Sequence, residues 1–326
     1  MLGGYANMNR ITLISPYFGE KFPSNFKVLL DSMKNNKNIK FIIPTNINCE
    51  DLMIPNIVFV KTDLEHVKKS IEDILGYEVT LNTPYKLVDF KPMYGVLFKE
   101  YIKNSEWWGY FDMDIIFGNI SHFLTDSVLN EYDRIFSHGH LTLFKNTEYM
   151  NMLWNKDFKL SEVPCFKVVA TSNAIFAFDE WGWGKNKGRG LSYALDKKIN
   201  INQYNNQDII ADIKKDYFKF YLSNKNQIEY FIYLKGNLEG ILTDSTHKEF
   251  LYAHFQKRSL IDSNSDVDQA VYIKPNVISN KLIITDEVQE ELRWSKDIKR
   301  RKRNQKFKNL NIDYLKRRVM FLNSEK

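Results

Sequence analysis

The sequence predicts an α/β fold: a mixed, mostly parallel sheet with helices packed on it. Three observations predict it. Short apolar, β-branched runs recur through the first half of the chain, and segments with helical spacing alternate with them. One long aromatic run, residues 107–120 (WWGYFDMDIIFGNI), has strand character and stops abruptly at two carboxylates. The composition, 44% hydrophobic and 14% aromatic, is that of a chain that buries a full core rather than a disordered one.

Residues 1–9 read as a leader of no structural consequence, with Met8 as an alternative start. The first element is a short buried strand over 11–15 (ITLIS), broken by Pro16, Tyr17, Phe18 and Gly19. Pro23 and Ser24 then introduce an amphipathic helix, with Phe26, Leu29, Leu30 and Met33 on one face. Strand, loop, helix is how a nucleotide-binding α/β domain opens. Pro16, Tyr17 and Phe18 lie where a base or ribose would rest, beyond a strand's carboxyl end. A plain turn is the alternative, since no glycine-rich phosphate cradle is present. Two further apolar runs, 40–44 (KFIIP) and 57–62 (IVFVKT), are strands, and a helix with an acidic first turn spans 63–75.

Residues 84–92 (PYKLVDFKP) are dense in charge, aromatics and proline and lead into a helix over 93–102. Lys86 and Lys91 would offer point charges to phosphate, and Asp89 would accept from ribose or base. Equally, this is a solvated loop whose Asp caps the helix.

The aromatic run carries the chemistry. Asp112 and Asp114, separated by Met113, are acids at i and i+2, which share a face on a strand and can meet one cation together. Two unpaired like charges in an apolar setting are costly, and a divalent ion is the simplest compensation. Mg2+ or Mn2+ suits an all-oxygen pair and is commonly shared with substrate phosphates. Helix-capping or solvated turn acids are the ordinary alternative for a D-x-D pattern.

After the pair come a helix over 122–129, a strand over 134–137, and the segment 137–146 (SHGHLTLFKN). There His138 and His140 flank Gly139, suiting metal ligation, proton relay or sugar hydroxyls, with a loop-structural role for at least one. The apolar run in 168–178 ends in Asp179 and Glu180, the candidates for a base that activates an acceptor, with an N-cap as the alternative. The glycine-rich stretch behind them, with Trp181, Trp183, Lys185, Lys187 and Arg189, reads as an acceptor-side or lid loop. Runs at 228–234 and 238–242 form a hairpin around Gly236 and Asn237, and 249–256 (EFLYAHFQ) is a short strand bearing His254. His254 either completes the coordination begun by Asp112 and Asp114 or is a satisfied core residue. Residues 259–285 read as loop with weak strands.

Cys49 and Cys165 form no cluster, which argues against a zinc site or disulfide scaffold and fits a reducing cytoplasm. No apolar window reaches membrane-spanning length, and the N-terminus lacks a standard secretion signal. The net charge of +6 is uneven: residues 296–318 carry eleven Lys or Arg against two Asp, a local +9 that leaves −3 for the remainder. This basic helical tail, with Phe307, Leu310, Leu315, Val319 and Phe321 interleaved, suits an anionic membrane surface, nucleic acid, or simple solvation.

Taken together, PYFG after the first strand, YKLVDFKPMYG, WWGYFDMDIIFGNI, SHGHLTLFKN, FDE and a late HFQKR resemble, in order, small bacterial glycosyltransferases of GT-A type. That group is catalogued largely as a domain of unknown function and associated with capsule or lipopolysaccharide genes. The resemblance implies a GT-A-like, Rossmann-type nucleotide-sugar domain over 9–258 and a C-terminal extension over 259–326. It further implies that Asp112 and Asp114 hold the metal and the nucleotide sugar, with His254 as the late metal ligand and a UDP-sugar, galactose or galactofuranose, as donor. The acceptor implied is a surface polysaccharide or lipid-linked glycan, made on the cytoplasmic face of the membrane. Competing expectations are a two-metal phosphoryl-transfer or nucleic-acid enzyme, for which too few acids can be placed, and a non-catalytic carbohydrate-binding module.

Overall fold

The computed structural model describes residues 10–184, 188–223, 226–256, 258, 260–282, 287–308 and 319. The expected leader at 1–9, Lys185 and Lys187 of the glycine-rich loop, and the tail past residue 308 apart from Val319, including Leu310, Leu315 and Phe321, lie outside the described residues, as does the side chain of Phe307.

The first strand, β1 (Ile11–Ile14), is buried throughout. It pairs in parallel with β2 (Ile39–Thr45), which pairs in parallel with β3 (Ile57–Lys61). On its other side it pairs in parallel with β4 (Trp107–Phe111), Ile11 opposite Trp107. Helices α1 (Phe26–Asn35) and α2 (Leu64–Leu75) follow β1 and β3; the Asp63 carboxylate caps α2 by accepting from the His66 N–H, and Gly76, at φ 73°, ends it. The two faces of this sheet feed two cores, as period-2 alternation requires. Ile11, Leu13, Trp107 and Phe111 pack on one side, Ile14, Trp108 and Tyr110 on the other.

The chain continues through β5 (Ile115–Phe117), β6 (Arg134–His138), β7 (Leu141–Lys145), the small hairpin β8 (Gly182–Gly184) and β9 (Gly188–Arg189), and β10 (Gln203–Tyr204). The main sheet has the order β10-β6-β7-β4-β1-β2-β3, and β7 alone runs against the others, so the sheet is mixed and mostly parallel. Then come β11 (Ile210–Asp212), β12 (Phe220–Tyr221), β13 (Gln227–Leu234), β14 (Asn237–Leu242), β15 (His247–Glu249), β16 (Tyr252–His254), β17 (Ile261–Asp262), β18 (Val271–Lys274) and β19 (Val277–Ser279). A three-stranded sheet, β11-β16-β5, bridges the two halves. A third sheet, β15-β14-β13-β18-β19-β17 with β12 beside β13, carries the expected hairpin, turning at Lys235 and Gly236. Because β18 pairs with β13, the division expected at 258/259 falls inside one sheet.

The apolar run before Asp179 consists of the helix Phe166–Thr171 and irregular chain after it. Three local expectations change. The acids Asp112 and Asp114 stand in a turn past the end of β4, not on a strand face. The helix expected over 93–102 is broken into short turns, Tyr94–Leu97 and Lys99–Ile102, behind a 3-10 turn at Lys91–Met93. That expected over 122–129 is likewise two pieces, Ile120–Phe123 and Asp126–Glu131.

The C-terminal helix Glu287–Lys308 is mostly exposed through Asn304 and docks by Trp294, whose ring lies 4.4 Å from the Arg258 guanidinium, and by Lys302, 3.0 Å from Asp216. No helix among the described residues is long and apolar enough to cross a membrane.

Candidate active site

In the main sheet the chain leaves β1 toward β2 on one side, while β4 lies on the other. Such a switch point opens a crevice beyond the strands' carboxyl ends. Residues 15–18 follow β1 and residues 112–114 follow β4, and both segments line a cleft of about 810 Å3. Of the residues expected at the site, Pro16, Tyr17, Phe18, Asp112, Met113, Asp114, His140, Asp179, Glu180 and His254 line this cleft. The turn is fixed from below: the Asp112 N–H donates to the His140 carbonyl (3.0 Å) and Asn25 Nδ2 donates to the Met113 carbonyl (3.1 Å).

His254 arrives from β16, whose pairing with β5 sets it opposite Ile115, one residue past Asp114. Its Nε2 lies 3.5 Å from Asp114 Oδ1. One donor atom each from Asp112, Asp114 and His254 fall within 4.8 Å of one another, a spread that a single ion can span. Two carboxylates and an imidazole form a donor set that suits Mn2+ better than the all-oxygen preference of Mg2+. A second grouping, His140, Asp212 and His254, meets the same distance limit. The rings of His138, His140 and His254 stack in a column, with centroids 4.9 and 4.0 Å apart. Burial and the neighbouring imidazoles hold His140 well below its ordinary range, while its Nδ1 meets the Tyr252 hydroxyl at 3.0 Å. Burial opposes the charge on His254 too, but Asp212 and Asp114 outweigh it and raise its value.

The Asp pair is not uncompensated, as its sequence setting implied. Buried Lys91 donates to Asp112 Oδ1 (2.6 Å) and to the Gly139 carbonyl (2.6 Å), and lies 3.4 Å from Asp179 Oδ2. Burial disfavours this ammonium, but Asp112 and Asp179 reverse the balance and raise its pKa. Gly139 makes room: a Cβ there would stand 3.0 Å from Asp179 Oδ2 and 3.3 Å from Glu180 Oε2. Burial pushes the Asp179 carboxyl up to about 8 despite Lys91, and raises Glu180 as well, against a hydrogen bond from the Gly139 N–H.

Lys86 and Asp89, expected to read a nucleotide, do not reach the cleft. Lys86 is 3% exposed and Asp89 fully buried, their side chains 2.8 Å apart. Lys86 also donates to the carbonyls of Val169 and Ala174, and Asp89 accepts from the N–H groups of Phe176 and Phe178. A buried cation and anion satisfied by each other and by backbone serve the fold. Here they pin the irregular segment that delivers Asp179 and Glu180. In the loop behind, Trp183 lines the cleft and donates from Nε1 to the Ile175 carbonyl (2.8 Å), while Trp181 is exposed outside it.

Residues 13–282 match the family described as "Family of unknown function (DUF6625)". The chain belongs to this family. No curated protein matches it. Among solved structures it is similar to a galactosyltransferase, LgtC, crystallised with donor and acceptor sugar analogues. That similarity has a TM-score of 0.32 at 14% identity, over 62% of this chain and 75% of that one.

Two cleft residues of this DUF6625 chain have places that the sequence reading of its site does not give. Lys91, expected with Lys86 to offer a charge to phosphate, is buried between Asp112 and Asp179 through contacts across 21 and 88 positions. Asp212 is absent from that reading, although it ends the apolar run IIAD just as Asp179 follows NAIFAF. That repeated signal, an acid closing an apolar run, would have found it.

The raised Asp179 carboxyl has a measurable consequence. An unfolded Asp titrates near 4, so between about pH 4 and about 8 the folded chain holds a proton that the unfolded chain has released. The stabilisation from this group is complete below that window and is lost as pH rises through it. Asp179→Asn, which stays neutral, should therefore gain stability relative to wild type between pH 5 and about pH 8 in paired urea titrations. A difference that does not change with pH would contradict the assignment.

Proposed function

We propose that the chain is a metal-dependent glycosyltransferase of GT-A type. It moves a sugar from a nucleotide diphosphate sugar, UDP-linked with galactose or galactofuranose as first candidates, to a hydroxyl of a surface polysaccharide or lipid-linked glycan. The observation that carries this reading is the convergence of Asp112, Asp114 and His254 at the switch-point crevice. The order of the motifs along the chain supports it independently.

In this reading Asp112, Asp114 and His254 hold the cation. When bound, the cation neutralises the charge that builds on the departing diphosphate. Pro16, Tyr17 and Phe18 face the base and ribose, where an aromatic ring offers a stacking surface. Lys91 fixes the Asp112 carboxylate in place and offsets its charge from the protein side. Asp179 or Glu180 takes the proton of the acceptor hydroxyl if configuration inverts; burial raises both carboxyls toward the range where a base works near neutral pH. If configuration is retained, no dedicated base is needed. The phosphoryl-transfer alternative requires two ions at once, and the two ligand groupings found among the described residues share His254, so they are alternatives to each other.

Thermal-shift measurements across a panel of nucleotide sugars, with and without Mn2+, test this directly. A donor present at about 100 times its Kd should stabilise the chain by about 2.7 kcal/mol, and only with the metal. UDP release should follow the same dependence. A panel in which no nucleotide sugar shifts the transition, with metal or without, would count against the proposal.

A further inference from the structure

Asp212 ends β11, which runs parallel to β16, and the register sets it directly opposite His254. Its carboxylate is held at three points: Oδ1 lies 2.8 Å from His254 Nδ1 and 3.0 Å from Gln256 Nε2, and Oδ2 accepts from Ser223 Oγ at 2.8 Å. The Gln256 amide is itself oriented, because its Oε1 accepts the Lys215 N–H at 3.2 Å, leaving Nε2 to donate toward Asp212. Gln256 adopts φ 47°, a left-handed conformation that a side chain bearing a Cβ rarely takes and that surrounding contacts must hold.

An ionised carboxylate only accepts, so the contact at Nδ1 requires the imidazole proton there. A neutral imidazole protonated at Nδ1 carries its lone pair on Nε2, and that atom is the one 3.5 Å from Asp114 Oδ1. We propose that Asp212 is a positioning residue. By accepting the Nδ1–H of His254 it sets the tautomer and ring plane that turn the Nε2 lone pair toward a divalent cation shared with Asp112 and Asp114. This inference rests on the metal-binding part of the proposed function.

The competing placement makes Asp212 itself a ligand, in the His140, Asp212 and His254 grouping. Two contacts oppose it. Both acceptor positions of Asp212 Oδ1 are engaged, by His254 and by Gln256. His254 would have to give up its Nδ1 bond to Asp212 for that nitrogen to ligate. A carboxylate behind a metal-bound imidazole is the usual arrangement that fixes ring orientation and raises ligand basicity, and removing it weakens metal affinity by roughly 10–100-fold.

The experiment has a part free of metal and a part with Mn2+. In metal-free wild-type protein labelled with 15N-histidine and held above pH 8, long-range 1H–15N correlation should show His254 protonated at Nδ1 and bare at Nε2. Mn2+ titration followed by EPR should then give a binding site, with pulsed EPR reporting one coordinated imidazole nitrogen. Asp212→Ala should weaken Mn2+ binding about 10–100-fold. Asp212→Asn should recover most of that loss, because its amide oxygen still accepts from Nδ1 while the Ser223 hydroxyl turns to meet the amide nitrogen.

A His254 protonated at Nε2, two coordinated imidazoles, unchanged affinity in the alanine variant, or failure of asparagine to rescue would each overturn the role of Asp212. A wild-type chain that takes up no Mn2+ overturns the metal site itself and this role with it, so the two failures are distinguishable. Should the alanine variant not fold, the wild-type spectra alone decide between the two placements.

Discussion

Asp114→Asn should leave a folded protein that has lost metal-dependent donor turnover by about a thousandfold or more. That is roughly 4 kcal/mol of transition-state stabilisation, within what a bound cation supplies to a leaving group of this charge. The substitution keeps the size and one oxygen of the side chain and removes its charge. It also leaves untouched the Asp114 carbonyl that accepts the Phe255 N–H at 2.9 Å, so the bridge to the strand bearing His254 survives. Circular dichroism and metal-free thermal melting should match wild type, while the Mn2+-dependent thermal shift disappears and UDP release falls to background. A soluble Asp114→Asn chain with full turnover would sink the proposed function. Asp112→Asn should act on stability as well as turnover, since it removes the charge that Lys91 meets at 2.6 Å.

Asp89→Ala should lower stability by about 3–5 kcal/mol, the range for breaking one partner of a buried ion pair. Lys86 would then lose its counter-charge in a buried site, and the N–H groups of Phe176 and Phe178 would lose their acceptor. Urea unfolding measures the loss directly. Lys86→Met added to Asp89→Ala should restore part of it, because the stranded charge goes too, and the double-mutant cycle gives the coupling. The opposite result, unchanged stability with weakened nucleotide binding, would return this pair to the ligand-reading role that its sequence setting suggests. Turnover should also fall in the surviving folded fraction, because the segment held by Asp89 carries Asp179 and Glu180 to the cleft.

The pair Lys86/Asp89 shows why the sequence misled at that point. A lysine and an aspartate three positions apart in a segment rich in proline and aromatics are equally consistent with a solvated loop or a ligand contact, because burial there is decided by a partner 80 to 90 positions away. Asp112 and Asp114 were legible for a sound reason and a faulty one. An acid closing a buried strand does mark the carboxyl end of a sheet, and the cleft is there; but the pair meets the cleft through a turn, not through the alternation of a strand face. Asp179 and Glu180 likewise close an apolar run and line the same cleft, although that run is a short helix followed by irregular chain.

The amino-acid pattern by itself determined the alternation of strands and helices, the mixed and mostly parallel sheet, and the acids where its strands give way to loops. These follow from the 2.0 and 3.6 periodicities and from the cost of burying charge, which act over a few residues. The tertiary structure alone decided which distant groups meet. It set Asp212 against His254 through the register of β11 on β16, and Lys91 between Asp112 and Asp179. It also closed Lys86 and Asp89 away from the cleft. Strand register and the packing of remote segments are settled by the sum of many contacts across the whole chain, so no short window of sequence carries them.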